Sequence, residues 1–118
     1  MANPDHGATG GSVLAQLESV IARRRGLDPE ESYVASLLDG DEDRLLKKIG
    51  EEATEVMLAA KSGNREEIAE ESADLLFHLM VVLARYDLGL AEVRAVLESR
   101  SGRSGLAEKN SRTQPDSS

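Results

Sequence analysis

The chain of 118 residues contains no cysteine, which excludes disulfides and thiol catalysis. Aromatic residues make up only 3% of it, so leucine, valine, isoleucine and alanine must fill the interior, a profile that suits a helical bundle. No apolar run reaches the ~20 residues needed to span a bilayer. The longest, around LMVVLA, is broken upstream by His78 and downstream by Arg85 and Asp87. The polar N-terminus lacks the apolar stretch of a signal peptide. Positive charge is in deficit, with a net charge of −8; nucleic-acid binding through a basic patch, which requires clustered lysine and arginine, is excluded on that ground. A nucleotide held through metal ions is not. Walker-type loops, GxGxxG and internal repeats are also missing. The expectation is a soluble cytoplasmic protein, long enough for one modest core and too short for two.

What is present is helical periodicity. Residues 1–11 have nothing to bury, and they read as a disordered tail that includes His6. From Ser12 as N-cap, Val13, Leu14, Leu17, Val20 and Ile21 recur at helical spacing until Gly26, and Arg23, Arg24 and Arg25 suit the last turn. Asp28 and Pro29 read as the N-cap and first position of a short helix through Leu38 to Gly40. Asp41 to Asp43 open a long helix that ends at Gly63. Asn64 and Glu67 form a capping box for the next. Asp87 to Gly89 make a turn, Ala91 to Arg100 a final short helix with Val93, Val96 and Leu97 inward, and residues 101–118 a mobile tail. The domain is thus 12–100.

The two long helices carry carboxylates one turn apart, Glu52 and Glu55 on the first and Glu71 and Asp74 on the second. At about 100° per residue, positions so spaced share a face. The first helix has the stripe Leu45, Ile49, Ala53, Val56 and Ala60, with Glu52 inside it and Glu55 and Lys48 along its edge. The second has Ile68, Ser72, Leu75, Leu79, Val82 and Tyr86, flanked by Glu71, Asp74 and His78. A connection as short as Gly63–Asn64 forces the helices antiparallel. Glu55 and Glu52 precede Gly63 by the same intervals at which Glu71 and Asp74 follow it, so the two pairs stand at equal depth. Carboxylates turned toward a core need a neutralising partner, and Lys47 and Lys48 cannot balance the set. Hard oxygen ligands without cysteine or paired histidine favour Mg2+ or Mn2+. The competing reading is a solvated acidic face. His78, one turn beyond Asp74, reads as a hydrogen-bonded neighbour of that carboxylate, and neither histidine completes the Glu-x-x-His of di-iron bundles. Leu76, Phe77, Met80, Val81 and Ala84 fall outside the stripe of the second helix, which points to a homodimer that covers them.

At KKIGEEATEV, from Lys47, and ESADLLFHL, from Glu71, the sequence resembles the phosphoribosyl-ATP pyrophosphohydrolases of histidine biosynthesis, all-α relatives of the MazG nucleotide pyrophosphohydrolases. The likeness extends from about Leu14 to Arg112 and takes in RRRGLDPEESYVASLL and SGLAEKNSR. It implies an all-α, MazG-like bundle of four to five helices, completed by homodimerisation. By position, Glu52 and Glu55 match the ExxE metal ligands and Glu71 and Asp74 the ExxD ligands, all four catalytic, with Glu51 a further acid near the metal. Lys48 matches a phosphate-contacting position, and Lys47, Tyr33 and Arg112 join it as the expected substrate-binding residues. The implied reaction hydrolyses 1-(5-phosphoribosyl)-ATP to 1-(5-phosphoribosyl)-AMP and pyrophosphate, the second step of L-histidine biosynthesis, by Mg2+-assisted attack of water between the α and β phosphates. Clustered carboxylates repel one another, so their proton affinity should be raised and metal binding should weaken at low pH. Two other readings stand beside this one. The chain is a house-cleaning pyrophosphohydrolase for noncanonical dNTPs, or a non-catalytic helical dimerisation module whose acids are solvated.

Overall fold

Residues 9–102 are described by the computed structural model, and they form five helices and no strand. In chain order these are α1 (Thr9–Arg24), α2 (Tyr33–Asp39), α3 (Glu42–Ser62), α4 (Arg65–Arg85) and α5 (Leu90–Gly102). Residues 1–8 and 103–118, which hold most of both expected tails and Arg112, lie outside the described part. The residues between Thr9 and Gly11, expected in the N-terminal tail, belong to α1. The chain divides after Leu88 into a unit that contains α1 to α4 and a second that contains α5. In α5, Val93, Val96 and Leu97 are exposed rather than inward.

In the first unit α3 and α4 pack most extensively, with α1 and α2 packed on α4 and α2 also on α3. The link between the long helices is as short as the sequence implies. Gly63 takes the left-handed conformation, φ 75°, and its N–H closes the end of α3 on the carbonyls of Ala59 and Ala60. Glycine meets that demand without the steric cost a Cβ would bring. Asn64 Oδ1 then accepts from the Glu67 N–H at 3.1 Å and starts α4 at once. Asp41 caps α3 in the same manner, accepting from Asp43 N–H at 3.0 Å. The cap of α2 is not where the sequence suggested. Asp28 makes a local turn by accepting from Glu30 N–H at 2.9 Å, whereas Ser32 caps the helix through Ala35 N–H at 3.2 Å. Aspartate closes turns through the same hydrogen bond by which it caps helices, and here Asp28–Pro29 closes a turn while α2 begins only at Tyr33.

Ile21, Leu37, Leu45 and Val81 are the largest fully buried side chains; each contributes about 1.5–3 kcal/mol by leaving water. On α3 the buried residues are Leu45, Glu52 and Ala59, two turns apart in succession. The expected Ala60 is exposed. The rotation of α4 differs more from expectation. Met80 and Val81 are buried, because α1 and α2 cover α4 as α3 does, while Ser72, Leu79 and Tyr86 are exposed. A projection that maximises apolar neighbours puts Leu79 inside. The packing instead turns Ile68, Glu71, Leu75 and His78 toward the interior, and so admits two polar residues to the seam. Tyr86 donates its hydroxyl to Glu42. Arg85 reaches from α4 to the carbonyls of Leu37 and Gly40, at 2.8 and 3.0 Å, and so satisfies acceptors that the end of α2 leaves open. Arg25 does likewise for Ala84, a structural role for the last of the three arginines.

Candidate active site

The seam between α3 and α4 brings the four predicted acids together. Glu52 is buried, Glu71 half-buried, and Glu55 and Asp74 exposed. The Glu71 carboxyl is held above its ordinary glutamate range, first by partial burial and then by the negative charges of Glu55, Asp74, Glu52 and Glu67. Three of those four carboxylates are the ones the sequence pairs with it, and Glu55 exerts the strongest effect, as equal depth on antiparallel helices requires. Glu67, known from sequence only as a cap residue, adds to the field from one turn earlier on α4. Glu51 is exposed and is not among the groups that act on Glu71.

No lysine or arginine among the described residues forms an ion pair with any of the four. Lys47 is exposed and Lys48 half-buried. Nor do three acidic or histidine side chains among the described residues stand together as a ready-made metal cage. The donor set itself, carboxylate oxygens only, is of the kind that hard divalent cations take.

Glu52 differs from its neighbours in having a partner. His78 Nδ1 lies 2.8 Å from Glu52 Oε1 and 3.0 Å from the Asp74 carbonyl oxygen, and His78 Nε2 lies 2.8 Å from the Tyr33 hydroxyl. The imidazole is wedged edge-on between rings: Phe77 at 4.9 Å and 78°, Tyr33 at 5.9 Å and 89°. Two of the three aromatic residues of the chain are thus spent around one histidine. Tyr33 also stacks on Phe77 at 6.4 Å, and the Arg44 guanidinium lies 5.8 Å from the centre of its half-exposed ring. Sequence reading gave His78 a carboxylate for a neighbour but took it to be Asp74. In the structure it is Glu52 across the seam, with Asp74 contributing its backbone. The ESADLLFH spacing signals that His78 shares a face with Glu71 and Asp74; nothing local signals that Tyr33 completes the chain.

Fold and site together define an all-α protein of the MazG-like kind whose central helix pair is lined by acids. The family model for phosphoribosyl-ATP pyrophosphohydrolase matches residues 14–101. Similar curated proteins include the phosphoribosyl-ATP pyrophosphatase of Methylibium petroleiphilum, 55% identical over 85% of this chain and 83% of that one. That of Geobacter sulfurreducens is 52% identical over 86% and 94%, and that of Dinoroseobacter shibae 50% identical over 86% and 99%. The chain belongs to the phosphoribosyl-ATP pyrophosphohydrolase family and is a hydrolase.

Proposed function

We propose that this chain hydrolyses phosphoribosyl-ATP to phosphoribosyl-AMP and pyrophosphate in the cytoplasm, as a step of histidine biosynthesis, with Glu52, Glu55, Glu71 and Asp74 holding Mg2+ or Mn2+ between α3 and α4. The observation that carries the site assignment is the surroundings of Glu71, a carboxyl whose neighbours are the acids of both helices and whose proton affinity is raised first by partial burial and then by those acids. A cation there relieves the repulsion. When bound, Mg2+ supplies neutralisation of the triphosphate and of the departing pyrophosphate, together with activation of water.

The residues of the chain do the rest. Lys48 and Lys47, at the start of the GEE element, meet phosphate oxygens; Glu51 serves as an outlying acid. Tyr33 offers its exposed ring to the substrate and Arg112 its charge. A carboxylate not taken up by the cation accepts the proton of the attacking water. A homodimer covers Leu46, Met57 and Leu58 of α3 and Leu76 and Leu79 of α4, large apolar side chains exposed on the single chain. Leu76 is common to this set and the one expected from sequence, whereas Met80 and Val81 of the expected set are already buried. Among the described residues no helix is long and apolar enough to cross a membrane. The test is turnover of phosphoribosyl-ATP beside a panel of noncanonical dNTPs with Mg2+, read as phosphoribosyl-AMP and pyrophosphate. Preference for the dNTPs would overturn the substrate assignment. Unchanged turnover in Glu55→Gln would overturn the site.

A further inference from the structure

The hydrogen-bond chain Tyr33–His78–Glu52 goes beyond what a cation site requires of its carboxylates. The carbonyl oxygen of Asp74 can only accept, and it lies 3.0 Å from His78 Nδ1; that nitrogen therefore carries hydrogen. The same Nδ1–H reaches Glu52 Oε1 at 2.8 Å. On the far side of the ring, the Tyr33 hydroxyl stands 2.8 Å from Nε2, and a phenolic hydroxyl serves there either as donor to a lone pair or as acceptor from an N–H. Hydrogen on Nδ1 is thus fixed by the Asp74 carbonyl, and the ring plane is held by Phe77 and Tyr33. His78 and Glu52 are both buried. A glutamate side chain has three rotatable bonds, and a cation that must order them binds more weakly than one that finds them ordered. Here one oxygen is already fixed, and Oε2 is left for a ligand.

We propose that Tyr33 and His78 are positioning residues, which hold Glu52 in one orientation and tie it to the turn of α4 that carries Asp74, so that both helices present their acids in register to a divalent cation. Neither residue touches the cation or the reacting atoms. The arrangement matches the way a histidine or carboxylate outside a metal's own ligand set orients the ligand beside it. The inference rests on the proposal that the four acids hold such a cation.

The experiment titrates Mn2+ calorimetrically into the full chain and into His78→Leu, His78→Asn, Tyr33→Phe, Glu55→Gln and Asp74→Asn, each checked for helicity and melting. Deleting an orienting partner of this kind weakens metal binding by about 10–100-fold, and that is the loss expected of His78→Leu. His78→Asn, whose amide nitrogen stands near where Nδ1 stood, is expected to restore most of the affinity, and Tyr33→Phe to lose less than His78→Leu. A purely structural role would lower the melting temperature of all three variants and leave Mn2+ affinity at the wild-type value; that result overturns the proposal, as does an equal loss in His78→Asn and His78→Leu. Should His78→Leu fail to fold, the ring nitrogens of metal-free wild type, read by 15N–1H NMR, decide the matter: hydrogen on Nδ1 is expected, and hydrogen on Nε2 alone overturns it. If Glu55→Gln and Asp74→Asn lose Mn2+ while His78→Leu keeps it, this inference alone falls. If those two variants also bind Mn2+ as wild type does, the cation site falls with it.

Discussion

The two ends of the acidic seam are built on opposite principles. At one end Glu52 is buried and paired, with His78 and then Tyr33 behind it. At the other, Glu55, Glu71 and Asp74 have each other for company, and partial burial, followed by the surrounding negative charge, makes Glu71 hold its proton more tightly. A helix pair selected only for stability would have put an arginine opposite Glu71 or leucine in its place, since buried or crowded like charges oppose folding. The difference teaches that the first end contributes order and the second contributes charge. Affinity for a cation needs both, because repulsion between carboxylates is useful only if their positions are already set.

The comparison breaks most visibly at the charged end. Glu55→Gln or Asp74→Asn is expected to cut turnover of phosphoribosyl-ATP by at least about a hundredfold, roughly 2.7 kcal/mol of transition-state stabilisation, while circular dichroism stays that of the folded protein. At the ordered end the larger effect should fall on stability. Glu52→Leu strips His78 of its carboxylate and leaves Nδ1 with the Asp74 carbonyl alone, so the loss is that of one hydrogen bond to a charged group, about 1.5–3 kcal/mol, measurable by urea unfolding without metal. The link that sets both ends at one depth can be weakened separately. Asn64→Ala removes the cap of α4 for about 1 kcal/mol and, by thermal melting and Mn2+ titration together, should lower the melting temperature with little change in affinity.

The smallest expected effect concerns pH. A carboxyl whose folded pKa lies above its unfolded value binds protons more tightly when folded, so its contribution is favourable at low pH and is lost as pH rises through the folded pKa. The metal-free protein should therefore show a component of stability that declines just above the ordinary glutamate range, and Glu71→Gln should flatten it. Glu67→Gln, which removes the weakest of the four contributing charges, should shift the decline only slightly. A melting profile without that component would mean that the charged end is less crowded than its geometry implies. With Mg2+ present the sign reverses, since protons then compete with the cation for the same oxygens.

Much of this was legible in the linear chain because it depends on local chemistry. Gly63 and Asn64 stop one helix and start the next, and their brevity alone makes α3 and α4 antiparallel. Once that is granted, matched distances from Gly63 put Glu55 opposite Glu71. The extent of α3 and the inward turn of Glu52 followed from helical periodicity. Other features were misread for a common reason. Leu79 and Tyr86 looked like core, and Met80 and Val81 like a surface to be covered by a second copy, because helical projection treats one helix at a time. The burial of Met80 and Val81 depends on α1 and α2 also packing on α4. Asp28 was taken for a cap because aspartate closes turns and caps helices by the same hydrogen bond, and local sequence does not say which.

By itself, then, the sequence determined which helices exist, which pair is antiparallel, and which acids share a depth, since each follows from bonding within a few residues. Only the tertiary structure decided how α4 is rotated and what stands behind Glu52. Those outcomes depend on side chains from three helices competing for one interior. Tyr33 and His78 are 45 residues apart, and no short-range pattern links a hydroxyl on α2 to a carboxylate on α3 through a ring on α4.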